Sequence, residues 1–208
     1  MSPKISEELK EKRKQQILEA AERVFIRLGY EPATLKDIVE ETGMSRGWIY
    51  LYFQTKEEIF LALMEKFDQG NFQAINELLQ NSHKIWPVIE TIFTEQKKDF
   101  PSITKSMAPA LYEYFITGWR DENRRKHLSL RFEKAVDKLE EMMQIGVEKG
   151  EFVPTMPLPL LAKIIASHIE GIMVHAMAVG SEKSESESQI DALISYIKLL
   201  LGVNSTEQ

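Results

Sequence analysis

No cysteine occurs in the 208 residues, so disulfides, thiolate zinc sites and cysteine nucleophiles are excluded. A basic surplus is missing as well. With 26 Lys and Arg against 32 Asp and Glu the net charge is −6, which argues against a nonspecific coat for nucleic acid; any contact with DNA has to come from a local patch. No long apolar run goes uninterrupted. The longest apolar region, Pro157 to Gly180, is broken by Lys163, His168, Glu170 and His175 and is expected not to span a membrane. The opening residues are charged from Lys4 onward and lack the apolar stretch of a signal peptide, so the expected location is cytoplasmic. Catalytic signatures are also missing: there is no glycine-rich phosphate loop, no G-x-S-x-G and no H-E-x-x-H. The carboxylates fall in mixed-charge runs such as EELKEKRK and EKAVDKLEE, which read as solvated helix faces. An enzyme is not expected, nor is a cofactor. His168 and His175 lie seven apart with no acid or third histidine at ligand spacing, so no metal is expected either.

What the chain does contain is 43% apolar residues, enough for one or two domains with a proper core. The most informative stretch is Thr34 to Lys56, TLKDIVEETGMSRGWIYLYFQTK. Thr34 precedes Leu35, Ile38 and Val39 with Asp37 three positions on, so its hydroxyl is positioned to cap a new helix whose positive end Asp37 favours. Gly43 suits a left-handed helix stop. Ser45 is a candidate cap for a second helix in which Ile49 and Phe53 share one face. Ser45, Arg46, Gly47, Trp48, Tyr50 and Tyr52 are spread over the rest of that helix, and so many polar and aromatic groups around so small a buried face need a partner. Thr55 and Glu58 form a T-x-x-E capping box, with Lys56 first in the long helix that it opens. Upstream, Ile17, Ala21, Val24 and Leu28, with Phe25 beside them, recur at helical spacing and stop at Gly29. Three helices then close a small core, and the second short helix is the one offered to the major groove. Lys4, Lys10, Lys12, Arg13 and Lys14 add positive charge near the start, diluted by Glu7, Glu8 and Glu11; they read either as a minor-groove arm or as a solvated helix start.

Residues 13 to 66, taken roughly, resemble the DNA-binding domain of the TetR family of bacterial transcription regulators. The segments ILEAAERVFIRLGY, TLKDIVEETG and SRGWIYLYFQTKEE carry the resemblance. It implies that Thr34 touches phosphate, that Arg46, Gly47 and Trp48, following Ser45, face base edges, and that Tyr50, Tyr52 and Lys56 hold the flanking phosphates. Trp48 departs from the family pattern, where this position is usually small. Its indole either meets a thymine methyl or turns aside. Arg46 suits a bidentate pair with guanine, with a phosphate contact as the alternative.

Beyond Lys66 every strong signal is helical. The spacing predicts helices from Lys56 to about Gln80, from about Trp86 to Lys98, from about Ser102 to Trp119 with a break or kink at Pro109, and from Asp121 or Glu122 to Gly150. Leu160 to Val179 and Ile190 to Leu201 follow, separated by SEKSESES, read as a solvated loop. The expected fold is therefore all-α with about nine helices. A helix-turn-helix domain over 1–55 is joined by a long helix to a ligand-binding and dimerisation domain over 56–208. The stretch GVEKGEFVPTMPLPLLAKIIASHIEG weakly continues the resemblance, which implies that the last two helices pair with their mates in a homodimer bound to a near-palindromic operator in double-stranded DNA. It also implies release by a small effector. Candidate effector contacts are Trp86, Phe93, Met107, Tyr112, Phe115, Trp119, Met142, Met173 and His175, a set rich in aromatic and Met side chains that suits an apolar or amphipathic molecule. Such residues at helical spacing also serve as plain core. The competing functions are a helical carrier of hydrophobic molecules and a DNA-binding protein controlled by a protein partner.

Overall fold

The computed structural model describes residues 7–203, so Lys4 lies outside the described residues. These residues form nine α-helices and no strand: α1 (Glu7–Leu28), α2 (Leu35–Thr42), α3 (Arg46–Tyr50), α4 (Lys56–Gln80), α5 (Trp86–Lys97), α6 (Ala108–Gly118), α7 (Glu122–Glu148), α8 (Leu158–Val179) and α9 (Ser186–Leu201). A short 3-10 helix, Phe100–Lys105, precedes α6. The chain divides into two compact units, Met1–Gly70 with Lys105–Tyr114, and Asn71–Thr104 with Phe115–Gln208. Lys56 thus begins a helix but not a unit: the first turns of α4 bury Ile59, Phe60, Leu63 and Met64 within the first unit.

In that unit α1 buries Ile17, Leu18, Ala21, Val24 and Phe25, while Leu28, expected in the core, is exposed. Against them lie Ile38 of α2, Ile49 of α3 and Phe53 just beyond it, all buried. Tyr30 is the centre of an aromatic cluster, 4.6 Å from Phe60 and 4.9 Å from Tyr114 between ring centroids. Phe25 meets Phe60 edge-on at 5.0 Å. Edge-to-face and tilted packing of this kind exploits the ring quadrupoles beyond plain burial. Tyr114 belongs to α6 and ties it to α4 by donating to Glu57 Oε1 at 2.8 Å.

The loop after α1 is held by charge as well. Gly29 has φ +84°, a left-handed stop, and the next two amides, of Tyr30 and Glu31, donate to Glu113 Oε2 at 2.7 and 3.0 Å. A Cβ on Gly29 would collide with that carboxylate. Glu113 comes from α6, whose course differs from expectation. The expected helix from Ser102 is broken rather than kinked: the chain takes a 3-10 turn and restarts at Ala108, so Pro109 falls in the first turn of α6, where its missing N–H is no loss.

In the second unit α7 packs on α8, and α9 on both α8 and α5. Asp121 caps α7, accepting from the amides of Asn123 and Arg124 at 2.9 and 3.0 Å. No cap comes from the residue before α5, Ile85; instead Glu151, distant in sequence, accepts from the Ile85 amide at 2.8 Å and the Trp86 amide at 3.3 Å. The SEKSESES segment is more ordered than a solvated loop. Ser186 is fully buried and opens α9, its hydroxyl bonded to that of Ser184. Gln189 donates back to the Ser184 carbonyl at 2.6 Å. Alternating Ser and Glu reads as solvated because nothing local reveals this turn.

Candidate nucleic-acid interface

Thr34 and Asp37 form a reciprocal capping box at the start of α2: the Asp37 amide donates to Thr34 Oγ1 at 3.2 Å, and the Thr34 amide to Asp37 Oδ2 at 2.8 Å. The Thr34 hydroxyl also donates to Asp37 Oδ2 at 2.6 Å, so its proton is already engaged. These bonds, the hydroxyl's first and the amide's second, hold the Asp37 carboxyl below the usual carboxylate range. At its other end α2 is tied to α1 by Glu41, which accepts from Arg23 at 2.8 Å and Arg27 at 3.0 Å. The Arg23 bond, then the Arg27 bond, lowers the Glu41 pKa.

The turn and α3 follow. Gly43 ends α2 with φ +64°, its amide donating to Glu40 O. Ser45 stands at the cap position of α3 but makes no side-chain cap bond; its carbonyl alone starts the helix, accepting from the Trp48 amide at 3.0 Å. Regular α3 is only five residues long, and Phe53 reaches the core from the turn that follows. Ile49 fills the inner side of α3 completely, and Ser45, Arg46, Gly47 and Trp48 are exposed. An added Cβ on Gly47 would meet nothing within 4 Å. No packing inside the protein requires a glycine there, although one inside a helix is unfavourable by about 0.5–1 kcal/mol relative to Ala. Arg46 is not adrift in solvent: Nη2 donates to the Tyr50 hydroxyl at 2.9 Å and the guanidinium lies 5.3 Å over the Tyr50 ring. Trp48 has Arg13 of α1 over its ring at 5.9 Å.

Tyr50 and Tyr52 are half-buried. Lys56 is engaged differently from the phosphate role that the resemblance implies. Its ammonium donates to the carbonyls of Tyr30, Glu31 and Ala33 at 2.7, 3.0 and 2.8 Å and lies 4.5 Å over the Tyr30 ring. The second capping box is shifted by one residue: the Glu58 amide donates to Thr55 Oγ1 at 3.1 Å, but the Glu58 carboxylate accepts from the Gln54 amide at 2.7 Å, not from Thr55. A sequence pattern fixes the acid's spacing but not which of two adjacent amides it reaches.

The nine candidate effector residues are dispersed. Trp86, Phe93 and Met142 are buried in the second unit, Trp86 beneath the Lys198 ammonium. Met173 is half-buried, its sulfur accepting from Gln96. Met107 and buried Tyr112 fall in the first unit. Phe115 and Trp119 are brought together in a cleft of about 790 Å³, lined also by Ile116, Leu128, Phe132, Glu122, Arg125 and Lys126, none of which the sequence marks as an effector contact. His175 lines a separate groove between α8 and α9, of about 640 Å³, with His168 and Tyr196. Among the described residues no group of three or more His, Asp or Glu could hold a metal ion. Against expectation, α8 is long and apolar enough to cross a bilayer by length and composition alone; it packs on α7 and α9, and 28% of its most apolar stretch is buried within the chain.

Two helices joined by a glycine turn, the second buried on one side and polar, aromatic and glycine-bearing on the other, define a helix-turn-helix protein of the DNA-binding class. The family described as bacterial regulatory proteins, tetR family, matches residues 17–63, and that of the tetracyclin repressor-like C-terminal domain matches residues 88–187. The uncharacterized HTH-type transcriptional regulator YfiR of Bacillus subtilis is 35% identical over 201 residues, covering 97% of this chain and 98% of YfiR. The HTH-type transcriptional repressor AcnR of Corynebacterium glutamicum is 26% identical over 184 residues, covering 84% of this chain and 87% of AcnR. In fold, a TetR-family regulator from Syntrophomonas wolfei superposes with a TM-score of 0.74 at 18% identity, over 95% of this chain and 100% of that one. The chain belongs to the TetR family of transcription regulators.

Proposed function

We propose that the protein is a cytoplasmic transcriptional repressor that binds a near-palindromic operator as a homodimer and leaves it when a small apolar or amphipathic effector binds. The observation that carries the DNA reading is the outer side of α3, where Ser45, Arg46, Gly47 and Trp48 are exposed together while Ile49 alone anchors the helix. In this reading Arg46 and Trp48 meet base edges and Gly47 lets the helix backbone approach them. Ser45, Tyr50 and Tyr52 meet phosphate; Thr34 and Lys56 join them at the margins by exchanging one of their bonds within the protein for the phosphate oxygen. Repression is favoured by the likeness to AcnR.

A second copy is favoured by what the single chain leaves uncovered. Leu160, Val174 and Val179 on α8 and Tyr196 and Leu199 on α9 are exposed beside the groove that holds His168 and His175. Apolar helix faces of this extent require burial, and a two-fold partner supplies it with the same residues. For the effector, the cleft of Phe115 and Trp119 offers an apolar wall with Arg125 and the Lys126–Glu122 pair among its lining residues. The family consists of transcription regulators, and we assign this chain no enzymatic activity.

Selection of bound sequences from a random DNA pool tests the reading. Inverted half-sites about one helical turn apart or more are expected. Recovery of no common sequence, or of a single unpaired half-site, would count against it.

A further inference from the structure

The recognition helix carries one side chain whose size does not follow from the protein's own packing. Trp48 is 38% exposed, and the inward position of α3 is already taken by fully buried Ile49. The indole has therefore not turned aside into the core. One face of it is covered by the Arg13 guanidinium, 5.9 Å from the ring centroid, and Arg13 is itself steadied by a bond from Nη1 to Gln16 Oε1 at 3.1 Å. The indole N–H has no acceptor among the described residues. Next to it, Gly47 leaves open space within 4 Å of where a side chain would begin, so the α3 backbone is free to approach a surface closely.

We infer that Trp48 reads a thymine in each half-site and that Arg13 is the residue that positions it. This rests on the DNA-binding reading above. In the major groove thymine alone combines an apolar 5-methyl group with an adjacent acceptor, O4. An indole offers the complement of both, a broad apolar ring and a single N–H that only donates. Cytosine at the same place presents an amino donor and no methyl, and the purines present acceptors without a methyl. A lone exposed Trp would have to be ordered on binding. The Arg13 guanidinium restricts the ring beforehand, which lowers the entropic cost of presenting it.

The test uses the full chain and the duplex it enriches from a random pool, synthesised with thymine or with deoxyuridine at each thymine position in turn. Deoxyuridine keeps O4 and lacks only the methyl. Wild-type protein is expected to bind about fourfold more weakly at one position per half-site, the value of one buried methyl group. Trp48→Ala should lose the thymine-over-uracil preference there. Arg13→Ala should reduce it and Arg13→Lys should restore part of it. A general loss of affinity or stability cancels in this ratio. Equal binding of both duplexes at every position overturns the proposal, as does a preference that survives Trp48→Ala or an enriched sequence without thymine. An unchanged ratio in Arg13→Ala removes the positioning role. If no DNA is enriched, the DNA-binding reading fails and takes this one with it; palindromic DNA indifferent to uracil defeats this one alone.

Discussion

Lys56 and Glu113 grip the same loop by its opposite polarities: the Lys56 ammonium takes the carbonyls of Tyr30, Glu31 and Ala33, and the Glu113 carboxylate takes the amides of Tyr30 and Glu31. The loop leads directly into Thr34 and α2, so the entry to the helix-turn-helix is fixed from two distant points of the chain.

Lys56→Met should therefore weaken the fold before it weakens anything else. Charge-assisted bonds of this kind contribute about 1.5–3 kcal/mol, and three carbonyls lose their partner together. Urea unfolding should show a loss of that order. DNA affinity should fall alike for every sequence, and its dependence on salt separates two causes: a slope lower by about one marks a phosphate contact in addition to the loop grip.

Acid should loosen the start of α2. The bonds from Thr34 lower the Asp37 pKa, so the folded chain binds a proton there less readily than the unfolded chain. The stabilisation is fully present above about pH 4, the range of an ordinary carboxylate, and is lost as pH falls through the depressed value. Asp37→Asn should be less stable than wild type at neutral pH, and the gap between the two unfolding curves should close in acid. A gap that stays constant would mean the capping bonds do not depend on the charge.

Arg46 is held against Tyr50 in the free protein, and that geometry makes a distinction measurable. Arg46→Ala should relax the preference at one base pair of each half-site by about 1–3 kcal/mol, read from binding to single-base operator variants. Uniform weakening across all variants would assign the guanidinium to the phosphate backbone instead.

The exposed apolar face of the last two helices gives a third kind of test. Val174→Glu combined with Leu199→Glu places charges on α8 and α9 at positions the single chain does not bury. Sedimentation should show a shift from dimer to monomer, with secondary structure retained, and binding to a palindrome should drop to that of one half-site. A dimer that persists in this variant would place the two-fold contact elsewhere.

The order and type of the helices, the cap at Thr34, the stop at Gly43 and the inward side chains Ile49 and Phe53 were legible in the sequence, because each depends on spacing within one turn of helix. What was not legible came from partners far apart in the chain. Glu113 and Tyr114 read as part of a middle helix, yet Tyr114 completes the core of the first unit and Glu113 binds the Tyr30 amide, 83 residues away. The grip of Lys56 on Tyr30, Glu31 and Ala33 was not legible either, because these neighbours in space are not its neighbours in sequence. Pro109 marks an interruption of the segment, a break or a kink; that the break takes the form of a 3-10 turn before a restart at Ala108 has no periodic signature. Among the candidate effector residues, aromatic character did not separate Phe93, in the core, from Phe115, on a cleft wall.

The empty flank of Gly47 sets two selective demands against each other. Since nothing in the protein obstructs a methyl group at that position, Gly47→Ala should raise the stability of the free protein by about 0.5–1 kcal/mol while inserting that methyl between α3 and the bases. Thermal melting and DNA affinity should move in opposite directions in this variant. A laboratory screen for heat resistance alone would then favour losing the glycine, and its survivors would be sturdier proteins that had begun to forget their operator.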